Sequence, residues 1–149
     1  MLTHLASACS IQTWHPGEPL VTAPIVKHGE WEVGYDDPSH PIPSIYVLDI
    51  EDVKKTGGSD LTIIIGSPLL ADERSQRRLL DKIRIYLKYL KTEEFQSRSG
   101  IATTENTSII IKIHSDSDAA IFELIEKCKP WVRANAASLK MEILDQRSR

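Results

Sequence analysis

A mixed four-stranded β-sheet with two helices on one face, an α/β architecture, is the fold this sequence predicts, and three observations predict it. Short runs rich in β-branched residues recur after Ser44, two longer segments carry apolar residues at spacings of three and four, and the segments follow the order ββαβαβ. Right-handed crossovers then place both helices on the same side of the sheet. The other face is left open unless a further part of the chain covers it.

Residues 1–44 stand apart as a proline-rich, irregular N-terminal extension packed on the body. They hold Pro16, Pro19, Pro24, Pro38, Pro41 and Pro43, and proline at that density keeps interrupting helices and strand ladders. One short hairpin is predicted within them, Pro24 to Lys27 against Trp31 to Tyr35 across His28-Gly29, and Trp14 or Trp31 is expected to help cover the open sheet face.

A single domain over 45–149 follows. Ile45 to Val53 reads as a strand, residues 54–60 as a glycine-containing turn, and Leu61 to Gly66 as the second strand of a hairpin. Asp72 is the expected N-cap of one long helix reaching Phe95, its apolar stripe formed by Leu79, Leu80, Ile83, Tyr86, Leu87 and Leu90. Its other face carries Arg74, Arg77, Arg78, Arg84, Lys88 and Lys91. Ser97 to Asn106 reads as a loop, and Thr107 to His114 as a third strand, buried on both faces in its middle. Ser115 to Asp118 resembles a capping box that opens a second helix through Ile121, Leu124, Ile125, Cys128 and Val132, with a kink or restart expected at Pro130. Leu139, Met141 and Ile143 alternate as a final strand.

At 149 residues one core suffices, since a domain of this size buries roughly two thirds of its unfolded surface. Its apolar stretches, such as Leu61 to Ile65 with Thr62 inside it, are strand-sized, so no membrane span is expected. Cys9 and Cys128 lie far apart with no metal-spacing partner, the pattern of reduced thiols in a cytoplasmic protein. Residues 1–9 end like a lipoprotein cleavage box but lack the basic start and apolar stretch such a signal needs.

Charge is unevenly divided. Residues 1–60 carry three lysines against nine acids, net −6, whereas residues 61–149 carry fifteen basic against twelve acidic residues, net +3. That division argues against a general nucleic-acid binder, whose domain is basic as a whole.

No glycine-rich phosphate loop, Cys-x-x-Cys, His-Glu-x-x-His or Gly-x-Ser-x-Gly elbow occurs, and no metal or cofactor is expected. Three constellations remain. Asp49, Glu51, Asp52 and Asp60 gather carboxylates on the first hairpin, where they form a partner-binding patch or a solvated edge that resists strand pairing. In a strand Asp49 and Glu51 share one face and Asp52 takes the other. His114, Asp116 and Asp118 place an imidazole and carboxylates at a strand end, an alternative hydrolytic or ligand-binding site; helix capping is the bland reading of the same residues. The basic stripe of the first helix is a solvated face or a contact for phosphate or an acidic partner.

From Ile45 onward the chain resembles a small bacterial α/β domain family of unknown function. The resemblance rests on Asp60-Leu-Thr-Ile-Ile-Ile-Gly-Ser67, Arg78-Leu-Leu-Asp-Lys-Ile-Arg-Ile-Tyr-Leu87 and Ser108-Ile-Ile-Ile-Lys-Ile113 in that order. More loosely the domain is similar to immunity proteins, which bind and silence a cognate bacterial toxin. The resemblance implies a non-catalytic protein-binding domain with a toxin as partner.

Overall fold

The computed structural model describes residues 36–144. The hairpin predicted within 24–35 and the covering role of Trp14 or Trp31 lie outside them. The elements are β1 (Ile50–Val53), β2 (Ser59–Ile65), α1 (Glu73–Tyr89), α2 (Glu93–Ser99), β3 (Ser108–His114), α3 (Ala119–Ala134) and β4 (Ser138–Leu144). They form one mixed four-stranded sheet in the order β1-β2-β3-β4, with β1 antiparallel to β2 and the other neighbours parallel. Among the described residues no helix is long and apolar enough to cross a membrane.

Strand alternation divides the sheet into two unlike faces. Leu61, Ile63 and Ile65 of β2, Ile109, Ile111 and Ile113 of β3 and Leu139 of β4 are sealed in one core with Leu79, Leu80, Ile83 and Tyr86 of α1 and Ile121, Ile125, Cys128 and Val132 of α3. The opposite face follows the register: Ile50 beside Thr62, Thr62 beside Ile110, Ile110 beside Lys140, and then Ile64 beside Lys112 and Glu142.

Three boundaries differ from the sequence expectation, each for a local reason. The first strand begins at Ile50 rather than Ile45. Ile45 turns inward to the core, and the Asp49 carboxylate accepts the Ile64 N–H (2.9 Å), taking the place of a ladder partner just before β1 starts. The long helix stops at Tyr89. Thr92 accepts the Phe95 N–H (3.2 Å) and donates to the Tyr89 carbonyl (2.7 Å), so one hydroxyl closes α1 and opens α2. The apolar stripe continues across this break because Phe95 is buried edge-on against Tyr89, with ring centroids 5.4 Å apart. The loop expected from Ser97 consequently begins at Gly100.

α3 runs from Ala119 to Ala134 without a restart at Pro130. Proline deprives the Glu126 carbonyl of its donor, and both residues lie on the exposed side, where the carbonyl is open to solvent. Trp131, one residue on, faces inward beneath the Arg84 guanidinium, whose centre sits 5.7 Å from the ring.

Residues 36–48 form a strap along α1. Ile42 is 1% exposed, so the core extends upstream of the proline-rich boundary. The Arg78 guanidinium donates to the Ile42 carbonyl (2.9 Å), and Arg74 pairs with Asp37 (2.8 Å). Hydrogen bonds from Ser39 and Arg74 hold the Asp37 carboxyl down at about 2. In the β1–β2 turn, Gly58 has a positive φ and donates to the Ser99 carbonyl (2.7 Å), while a Cβ there would collide with the Asn106 backbone.

Candidate functional site

The hairpin carboxylates separate into two pairs, as strand parity requires. Asp49 and Glu51 face α1. The Asp49 carboxylate accepts from Lys82 Nζ (3.0 Å) as well as from Ile64 N, and the same ammonium donates to the Ser44 carbonyl (2.7 Å). Lys82 is 2% exposed, so this is a buried cation held by a carboxylate and a carbonyl. Tyr86 adds a second tie, its hydroxyl accepting from Asp49 N (2.9 Å) and donating to the Thr62 carbonyl (3.1 Å). Burial pushes the Tyr86 phenol well above its ordinary value, keeping it a donor.

Glu51 accepts from the Tyr89 hydroxyl at both carboxylate oxygens (3.0 and 2.9 Å) and from Arg98 Nη2 (3.0 Å). Arg98 also donates to the Tyr89 oxygen and lies 3.5 Å from Glu94. Burial and the hydrogen bond to Glu51 raise the Tyr89 phenol. This chain of groups fastens β1 to α1 and α2.

Asp52 and Asp60 take the other face. They stand directly opposite each other in the β1–β2 register, and Asp52 is exposed. Lys54 lies 3.3 Å from Asp60 while also donating to the Asn106 carbonyl (3.0 Å). Like charges placed opposite each other across strands repel, and Lys54 beside Asp60 offsets part of that repulsion.

At the far end of β3 the structure binds His114, Asp116 and Asp118 into the local chain. His114 Nδ1 accepts the Asp116 backbone N–H (3.0 Å), and the Asp118 carboxylate caps α3 by accepting from Ala120 N (2.9 Å). The Asp118 N–H donates to the Leu69 carbonyl (2.9 Å). Asp116 is exposed and His114 half-buried, and the hydrogen bonds around them join side chain to backbone rather than histidine to carboxylate.

A histidine, a serine and an aspartate that the sequence did not group come together beside the strap. His40 Nδ1 accepts from Ile42 N (2.9 Å), which leaves the ring proton on Nε2, 2.9 Å from Ser75 Oγ. The serine hydroxyl in turn donates to Asp72 (2.7 Å). In a hydrolytic triad the imidazole takes the serine proton and the carboxylate steadies the imidazole. Here the imidazole presents a proton to the serine, and the carboxylate holds the serine, so the set clamps the strap to the N-terminus of α1. Spacing offered no signal for it, since His40 and Ser75 are brought together only by the strap.

The basic stripe of α1 is also drawn into the fold. Arg77 and Arg84 flank Asp81 at 3.5 and 2.5 Å, around a carboxylate side chain only 8% exposed. Burial pushes the Asp81 carboxyl up against the pull of these arginines. Lys91 reaches Asn135 (3.3 Å). Arg74 and Arg78 of this stripe hold the strap and Arg84 meets Trp131 of α3, while Lys88 and Lys91 stay exposed.

Among the described residues no group of three or more histidine, cysteine, aspartate or glutamate side chains is placed to hold a metal ion. Comparisons with protein-family models, curated proteins and solved structures found no match to this chain.

Proposed function

We propose that the chain is a non-catalytic protein-binding domain, an immunity protein that binds and inhibits a cognate bacterial toxin, and that it receives a basic surface of that partner at Asp52 and Asp60. The observation that carries the reading is the cross-strand carboxylate pair on the face turned away from the helices. Lys54 stands beside Asp60, and the exposed Asp52 leaves a negative face that a cationic partner complements. Asp49 and Glu51 serve the same site indirectly, since their bonds to Lys82, Tyr89 and Arg98 hold β1 in place. The negative charge of residues 1–60 adds a field that speeds encounter with a basic partner.

The test is to recover the partner by co-purification and then follow association by stopped flow at low salt. Reversing Asp52 and Asp60 together to lysine is expected to slow association by about tenfold or more, with most of the effect lost at high salt. Rates unchanged by the double reversal would remove this face from the interface.

A further inference from the structure

The two edges of the sheet are unlike. β1 is four residues long and carries Glu51 and Asp52, features that discourage another strand from pairing with it. β4 is seven residues long and is paired along one side, to β3. Ser138 N donates to the Thr107 carbonyl (3.0 Å), so the backbone groups of Ser138, Lys140, Glu142 and Leu144 point toward β3. By alternation those of Leu139, Met141 and Ile143 point outward, and among the described residues no backbone group pairs with them. Ile143 is 52% exposed at this edge.

We propose that β4 docks a second copy of this chain, the two strands running antiparallel about a two-fold axis at Met141 so that one sheet continues through both copies. The backbone parity restricts the choice of register, because only outward-facing residues can bond across the axis. Centring on Met141 pairs Leu139 with the second copy's Ile143 and Met141 with itself, each pair exchanging both N–H···O bonds. Lys140 then stands opposite the second copy's Glu142, and the same contact recurs across the axis. Both side chains are exposed and lie on the face turned away from the helices.

The neighbouring registers fail on charge. Sliding by one step of the allowed parity sets Lys140 against Lys140 in one direction and Glu142 against Glu142 in the other, and like charges directly opposite are destabilising. Within one copy Glu142 already faces Lys112 (4.0 Å). In the Met141-centred register a row of alternating sign therefore crosses the junction, from Lys112 through Glu142 to the second copy's Lys140. On the helix side the exposed Ile143 gains an apolar neighbour in Leu139.

Sedimentation of the full chain over a roughly hundredfold concentration range is expected to show a reversible monomer–dimer equilibrium. Lys140→Glu and Glu142→Lys are each expected to weaken self-association by about tenfold or more. Mixing the two variants restores it, since each glutamate then meets a lysine. Amide exchange should show the Met141 and Ile143 protons becoming protected as the wild-type concentration rises, while the Lys140 proton, already bonded to β3, changes little. A wild-type chain that stays monomeric up to about 1 mM, or variants that fail to associate with each other while each remains folded by circular dichroism, overturns the proposal. Concentration-independent exchange at Met141 overturns it without any variant.

Discussion

His40 shows how one side chain can make stability depend on pH without taking part in chemistry. Burial, followed by the nearby charges of Arg78 and Arg74, holds its imidazole below the ordinary value of 6.5, against the opposing pull of Asp37 and Asp72. The geometry agrees, because a proton on Nδ1 would face the Ile42 N–H that this atom now accepts. The unfolded chain therefore binds this proton more readily than the folded one. The contribution of the neutral ring is complete above pH 6.5 and is lost as the pH falls from there through the lower folded value. The urea midpoint of the wild type is expected to fall between neutral and acidic pH, and the fall should be smaller in His40→Gln. An equal fall in both proteins would assign the pH dependence to other groups.

At the scale of elements, α1 is the part that everything else grips, and Lys82 is its deepest polar hold. Lys82→Met keeps the buried aliphatic stem but removes the donor to Ser44 and the charge facing Asp49. The expected cost is about 2–3 kcal/mol, read from urea unfolding, because it leaves a partly buried carboxylate without its cation. In the Lys82→Met/Asp49→Asn pair the losses should be clearly less than additive; simple additivity would show that the ion pair itself contributes nothing. The strands and α3 were legible in the sequence because β-branched runs and the Ile121, Leu124, Ile125 and Cys128 spacing reflect the core directly. The break at Thr92 was hidden, since Phe95 keeps the apolar stripe going while a single hydroxyl ends one helix and caps the next. Parity alone separated Asp49 and Glu51 from Asp52. It could not show that the first two are occupied, because Lys82, Tyr89 and Arg98 reach them only through tertiary folding. Arg74 and Arg78 were misread for the same reason, their partners lying on the strap, whereas Arg77, Asp81 and Arg84 group within α1 itself.

For the molecule as a whole, the shared core predicts that opening at its centre requires opening everywhere. Cys128 is fully buried between α3 and the sheet, so in a Cys9→Ser variant its reaction with a thiol reagent should follow the global unfolding equilibrium. Labelling rates are then expected to rise with urea along the slope of the full transition, and a flat dependence would reveal a local route to the thiol. The strand order has a further consequence for how the chain is made. Val53 meets Ser59 across a tight turn, but Asp60 has to wait for Ser108, with α1 and α2 lying between them. A nascent chain leaving the ribosome therefore presents Leu61, Ile63 and Ile65 before their parallel neighbour exists. Until β3 emerges, α1 is the cover that can shield them, which makes the interval between the synthesis of β2 and β3 the stage at which this protein most depends on a chaperone.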